Sequence, residues 1–120
     1  MAANKLADEL RQLLPLPPAT FYILFALTDG DKHGYAIMQH CSESYSHEFR
    51  MGPATLYTTI QRLSGLALIE EVASNNEGER RRRCYRLTRQ GKLLLEAEIA
   101  RMEGIVRSAR STKVMAHGTK

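Results

Sequence analysis

Apolar positions along this chain fall into segments of different period, separated by turn formers. From Lys5 to Leu14, Leu6, Leu10 and Leu13 share one helical face. Pro15, Pro17 and Pro18 end that helix in an extended joint. The next segment, Ala19–Thr28, is apolar nearly all round, which predicts a helix covered on most sides. Asp29-Gly30-Asp31 stops it. A third helix is predicted from His33 or Gly34 to about Ser44, with Tyr35, Ile37, Met38 and Cys41 on a partly apolar face. Glu48-Phe49-Arg50 reads as a very short strand. Gly52-Pro53 opens a fourth helix to about Leu66, since proline lacks an N–H that would have no helical partner at that position. Leu68–Ala73 and Arg80–Leu87 read as two strands around the loop Ser74–Gly78, a hairpin. Thr88 is a good N-cap for a last helix to about Arg110, and Ser111–Lys120 reads as a flexible tail.

After the N-terminal helix, three helices, a hairpin and a long final helix make a mainly α protein with a small β-hairpin. That is the order of a winged helix-turn-helix with a helix added at its end. The 120 residues leave room for one domain of ordinary size and none for a catalytic fold with its own cofactor domain. The longest apolar run, Phe21–Leu27, is far short of the roughly 18 residues of a membrane span. The N-terminal stretch carries Asp8 and Glu9 and lacks the apolar core of a signal peptide, so export is not expected. Two cysteines make no disulfide framework, and a reducing cytoplasm is the expected compartment. No acidic pair in a cleft-forming context, no phosphate-binding glycine loop and no Ser/His/Asp arrangement with supporting motifs is present, so no enzymatic activity and no cofactor are expected.

The charge distribution sharpens the picture. Seven basic residues and no acid lie between Arg80 and Lys92, and taking them from the net +4 leaves the other 107 residues at −3. A mildly acidic body with one basic blade favours a polyanionic partner, most simply nucleic acid. Arg80, Arg81, Arg82 and Arg83 are placed to reach phosphates or a minor groove, while Tyr85 and Leu87 alternate toward the core. On the fourth helix, at about 100° per residue, Leu56, Ile60 and Leu63 face inward. Ala54, Thr58 and Gln61 point the opposite way, flanked by Tyr57, Arg62 and Thr55. Small and hydrogen-bonding groups without a carboxylate suit a helix that enters a major groove.

Several short motifs follow one another: His33-Gly34-Tyr35-Ala36-Ile37, Gly52-Pro53-Ala54-Thr55-Leu56-Tyr57, Arg62-Leu63, Leu68-Ile69-Glu70, and Arg81-Arg82-Arg83-Cys84-Tyr85-Arg86-Leu87-Thr88-Arg89-Gln90-Gly91. Their order and spacing resemble the PadR family of bacterial transcription regulators over about Leu16–Leu95. The resemblance implies a winged helix-turn-helix with a C-terminal dimerisation region, and a homodimer on a palindromic operator, usually as a repressor. It also implies, for many members, release by a small-molecule effector. The short chain is similar to the small branch with one long final helix. Thr58 stands where the family usually has proline and Ala67 where it has glycine. Some small members stack flat drugs on a central tryptophan, and this chain has none. The candidate DNA contacts are Tyr35, Ala54, Thr55, Tyr57, Thr58, Gln61, Arg62 and Arg80–Arg83.

In the last helix, Leu95, Ile99, Met102, Val106 and Ala109 recur at heptad-type spacing. A second stripe, Leu93, Ala97, Ala100 and Gly104, lies nearly opposite. Two apolar faces ask for two partners, the chain's own winged domain and a second subunit, with Leu6, Leu10 and Leu13 as a third component of the seam. The expected organisation is therefore an N-terminal helix over 1–14 packing in the dimer, a DNA-binding domain over 15–88, a dimerisation helix over 89–110 and a tail over 111–120. His33, His40 and His47 are too widely spaced to share a metal. Cys41 reads as packing, whereas the arginines around Cys84 would favour its thiolate. A winged helix used for protein assembly, or an RNA-binding module with exposed aromatics for stacking, are the competing functions. The acid-free helix face and the arginine run weigh against both.

Overall fold

The computed structural model describes residues 5–44, 50–73 and 83–112. Its elements are α1 (Asp8–Arg11), α2 (Pro18–Ala26), β1 (Lys32–His33), α3 (Gly34–Ser44), α4 (Pro53–Gly65), β2 (Ile69–Val72), β3 (Cys84–Leu87) and α5 (Arg89–Arg110). Helices α2, α3 and α4 pack around Ile23, Leu24, Ile37, Leu56 and Leu63, all fully buried. The antiparallel sheet, in the order β1-β3-β2, closes one side of this core through Ile69 and Tyr85. This is the winged helix-turn-helix that the element order predicts.

Two local departures have physical causes. The first helix is four residues rather than ten, because Gln90 of α5 takes over the backbone before it. The Ala7 N–H donates to Gln90 Oε1 at 3.0 Å, and Gln90 Nε2 donates to the Lys5 carbonyl at 3.1 Å. A strand absent from the sequence reading appears at Lys32–His33, opposite Tyr85 and Cys84. Lys32 sets it there: its ammonium donates to the Ala26 carbonyl at 2.7 Å, at the negative end of α2, and pairs with Asp29. The strand predicted at Glu48–Arg50, the hairpin loop 74–78 and residues 113–120 lie outside the described residues, apart from Arg50, which is in no strand.

The turn from α4 into β2 is a Schellman motif. Leu68 N–H donates to the Leu63 carbonyl at 2.9 Å and Ala67 N–H to the Ser64 carbonyl at 3.0 Å, with Leu63 and Leu68 both buried. Its left-handed position is Ala67, at φ 60°, where glycine is the unstrained choice. Relief of Cβ crowding worth about 1–2 kcal/mol exceeds the added chain entropy of about 0.5–1 kcal/mol. Ala67→Gly is therefore expected to raise stability by roughly 0.5–1 kcal/mol, read as a higher midpoint in urea at unchanged slope.

Thr88 caps α5 as expected, its Oγ1 accepting from Gly91 N–H at 3.1 Å. The helix buries Gly91, Leu94, Leu95 and Glu98. Glu98 was not legible as a core residue. Only 1% exposed, it accepts the Leu16 N–H at 3.0 Å and a forked contact from Arg101 at 2.6 and 3.1 Å. Arg101 first, then the Leu16 N–H, hold its carboxyl below the usual carboxylate range against the opposing effect of burial.

Candidate nucleic-acid interface

Helix α4 turns Leu56, Ile60 and Leu63 inward and exposes Ala54, Thr55, Tyr57, Thr58, Gln61 and Arg62. No carboxylate lies on this helix. Tyr57 is half exposed, and its ring rests on the start of α3. A Cβ on Gly34 would stand 2.8 Å from the Tyr57 hydroxyl oxygen, so the glycine of the His33-Gly34-Tyr35 motif makes room for that ring. Tyr35, one residue on, is exposed on α3. Arg62 departs from expectation: its Nη2 donates to Thr20 Oγ1 at 2.9 Å, and Thr20 is buried at the start of α2. Its guanidinium is turned back onto the scaffold, away from the outward face of Thr58 and Gln61.

Between α4 and the wing runs a groove of about 360 Å³ lined by Tyr57, Ile60, Gln61 and Ser64 from the helix and by Glu71, Arg83 and Tyr85 from the sheet side. Arg83 Nε lies 3.8 Å from Glu71 Oε2, and Arg86 Nε 3.4 Å from Glu70 Oε2. These exposed pairs add little to stability, but they change the electrostatics. The basic run is acid-free along the chain and not in space, because β2 sets two carboxylates beside it. Arg80, Arg81 and Arg82 lie outside the described residues. Tyr85 is buried as alternation predicts, and burial first, then the charge of Glu71, push its hydroxyl up, while the positive charge of Arg83 opposes them.

The two cysteines do not separate as the sequence suggests. Burial pushes Cys41 up to about 11, in keeping with a packing role. Cys84 is also raised, by burial and then by Asp31, rather than lowered by arginines, so the thiolate reading is corrected. Strand alternation carries the Arg83 and Tyr85 side chains away from it, and among the charged groups of the described residues Arg86 pulls the other way.

The α5 seam also divides differently. Leu95 and Leu6 are buried in the protomer's own core, and Leu10, Leu13 and Ile99 pack partly against it, so these positions are largely occupied within one chain. Leu93 and Ala97, from the opposite stripe, pack on the same core. The helix is thus covered on several sides over its first half and projects over its second. There Ile105 and Val106 are 54 and 47% exposed, and Ile99, Met102 and Val106 line an open apolar groove edged by Glu103, Arg107 and Arg110. Ala109 is half-buried on the same half.

Residues 23–97, from α2 into α5, match the transcriptional regulator PadR-like family. The chain belongs to that family. PadR-like proteins are transcriptional regulators rather than enzymes. A PadR family transcription regulator from Clostridium difficile superposes with a TM-score of 0.69 at 27% identity, over 78% of this chain and 96% of that one. BpsR from Bordetella bronchiseptica, whose DNA binding is regulated by 6-hydroxynicotinic acid, gives 0.61 at 26% identity, over 83 and 71%. A 37.1 kDa protein in transposon TN4556 of Streptomyces fradiae is 37% identical over 91 residues, 73% of this chain, and the chain spans 25% of that relative's length. No helix among the described residues is long and apolar enough to cross a membrane.

Proposed function

We propose that this PadR-family protein is a cytoplasmic, homodimeric repressor that places α4 in the major groove of a palindromic operator and its wing arginines on the flanking backbone. The observation that carries this reading is the exposed face of α4. Its groups are small, hydroxylic or amidic, without a carboxylate, and they sit on a rigid buried stripe beside an arginine-bearing wing. Thr58 and Gln61 lie on the outward face and are the base-reading candidates, whereas Tyr57, Thr55 and Tyr35 are placed for phosphates. A small-molecule effector is part of the proposal because the related BpsR responds to one.

The deciding experiment is a mobility shift on the DNA upstream of the protein's own gene, with unrelated duplex and RNA as competitors. Retention of the upstream complex against both competitors is expected. Equal competition by RNA, or no shift on any duplex, would overturn the reading in favour of an RNA-binding or protein-assembly module. Within it, Gln61→Ala or Thr58→Ala is expected to flatten discrimination among operator variants by about 1–3 kcal/mol for a good base contact, with weak non-specific binding nearly intact. Tyr57→Phe is expected to lower affinity for every duplex alike. A panel of single base-pair operator changes separates the two behaviours.

A further inference from the structure

Glu71 is out of place for a DNA-facing groove. Among the described residues it is the one carboxylate that lines the space between α4 and the wing, beside Tyr57, Gln61, Ser64, Arg83 and Tyr85. A free carboxylate there would repel phosphate. Yet it is not free, because its Oε2 lies 3.8 Å from Arg83 Nε, with both side chains more than half exposed. A pair that long and that wet is easily exchanged. Carboxylate and phosphate offer a guanidinium the same thing, two anionic oxygens matched to its fork of N–H donors. Tyr85 stands opposite Glu71 in the strand register with its ring buried, and both line the groove together with Arg83. The guanidinium thus lies on the groove wall beside one releasable anionic partner.

We infer that Glu71 acts as a built-in competitor of DNA phosphate for Arg83. It keeps the guanidinium oriented into the groove in the free protein and subtracts one phosphate contact per subunit from binding to any duplex. When DNA takes the arginine, the Glu71 carboxylate is left bare beside a polyanion and recruits a cation from solution. The counterion that Arg83 releases from the DNA is then largely offset by the one Glu71 takes up. Glu71 so lowers background affinity for DNA through Arg83 rather than through a base contact of its own. This inference rests on the DNA-binding function proposed above.

The test compares wild type, Glu71→Gln, Arg83→Ala and the double variant, binding a mixed-sequence duplex of about 30 base pairs and the upstream DNA over a range of salt. Glu71→Gln is expected to tighten binding to both duplexes by about three- to tenfold and to steepen log K against log salt by up to about 1 per subunit. In the Arg83→Ala background the same substitution is expected to give a clearly smaller gain and slope change, since only the direct repulsion of a bare carboxylate is then relieved. A slope unchanged by Glu71→Gln would overturn the inference. So would an equal gain with Arg83 absent, which would make Glu71 a free-standing repulsive charge. The melting temperature is expected to stay within a few degrees because the pair is exposed, and the salt slope is a readout that a merely structural role for Glu71 would not move. Failure of the wild type to bind either duplex with salt dependence overturns the DNA reading itself. A wild type that binds and a Glu71→Gln variant that matches it overturn only the role of Glu71.

Discussion

Gly91→Ala is expected to cost this protein several kcal/mol and to remove much of its stability. Gly91 sits in the first turn of α5, where that helix crosses the α4–β2 turn at backbone contact. A Cβ at this position would lie 2.0 Å from the Leu68 carbonyl oxygen, 3.0 Å from the Leu68 carbonyl carbon and 2.9 Å from Leu87 Cδ1. The nearest obstacle is backbone, and it is tied down. The Leu68 carbonyl accepts from Thr88 N–H at 3.1 Å, and Thr88 Oγ1 donates to the Ala67 carbonyl at 2.7 Å while accepting from Gly91 itself. The methyl group can enter only by driving α5 off the turn, which breaks that set of bonds and loosens the packing of Leu94 and Leu95. Overpacking of a rigid site costs about 1–3 kcal/mol, occasionally more, and the lost bonds add roughly 0.5–1.5 kcal/mol each. Against a total of about 5–15 kcal/mol, the thermal midpoint is expected to fall by 10 °C or more, at roughly 4 °C or more per kcal/mol for a chain of this size. Gly65→Ala is the control, since a Cβ there meets nothing within 4 Å, and it is expected to melt within a few degrees of wild type. A Gly91→Ala protein that did the same would show that α5 is free to lift from the turn.

The contrast between Gly91 and the rest of α5 shows what was legible in the sequence. Periodicity exposed the α4 core stripe because Leu56, Ile60 and Leu63 are all apolar and one helix carries the whole pattern. Thr88 was legible as a cap because its partner is three residues away. Features whose partners are distant were not legible. The strand at Lys32–His33 exists only because β3 lies beside it, and Arg83 and Arg86 face carboxylates more than ten residues back. Glu98 reads as a solvated acid in any hydropathy pattern. Its one local signal is its place four residues after Leu94 on the inward stripe with Arg101 one turn on, the arrangement that lets a carboxylate be buried. By spacing alone, the two apolar stripes of α5 suggest two faces with two partners. They differ instead by position along the helix, since the winged domain covers the first half and leaves the second open.

That division decides which substitutions probe the proposed dimer. Ile99→Asp would place a carboxylate against the protomer's own core and confound unfolding with dissociation, because Ile99 packs there in a single chain. Val106→Asp and Met102→Asp lie farther out on α5, where one chain leaves Val106 nearly half exposed. The helix is about 33 Å long, and its outer half carries Met102, Ile105, Val106 and Ala109 with only Ile99 and its neighbours held by the core. In a homodimer those side chains are buried, and a carboxylate among them is desolvated without a partner. Either variant is expected to sediment as a folded monomer at micromolar concentration, with helical content and melting close to those of a monomeric winged domain. Operator binding is expected to fall by about 10²–10⁴-fold, the avidity lost when two half-sites are no longer engaged by linked subunits. Non-specific binding per subunit is expected to change far less, because α4 and the wing are untouched. Sedimentation and a mobility shift on the same preparations settle it: a wild type that is monomeric, or a Val106→Asp protein that remains dimeric, would place the subunit contact somewhere other than this half of α5.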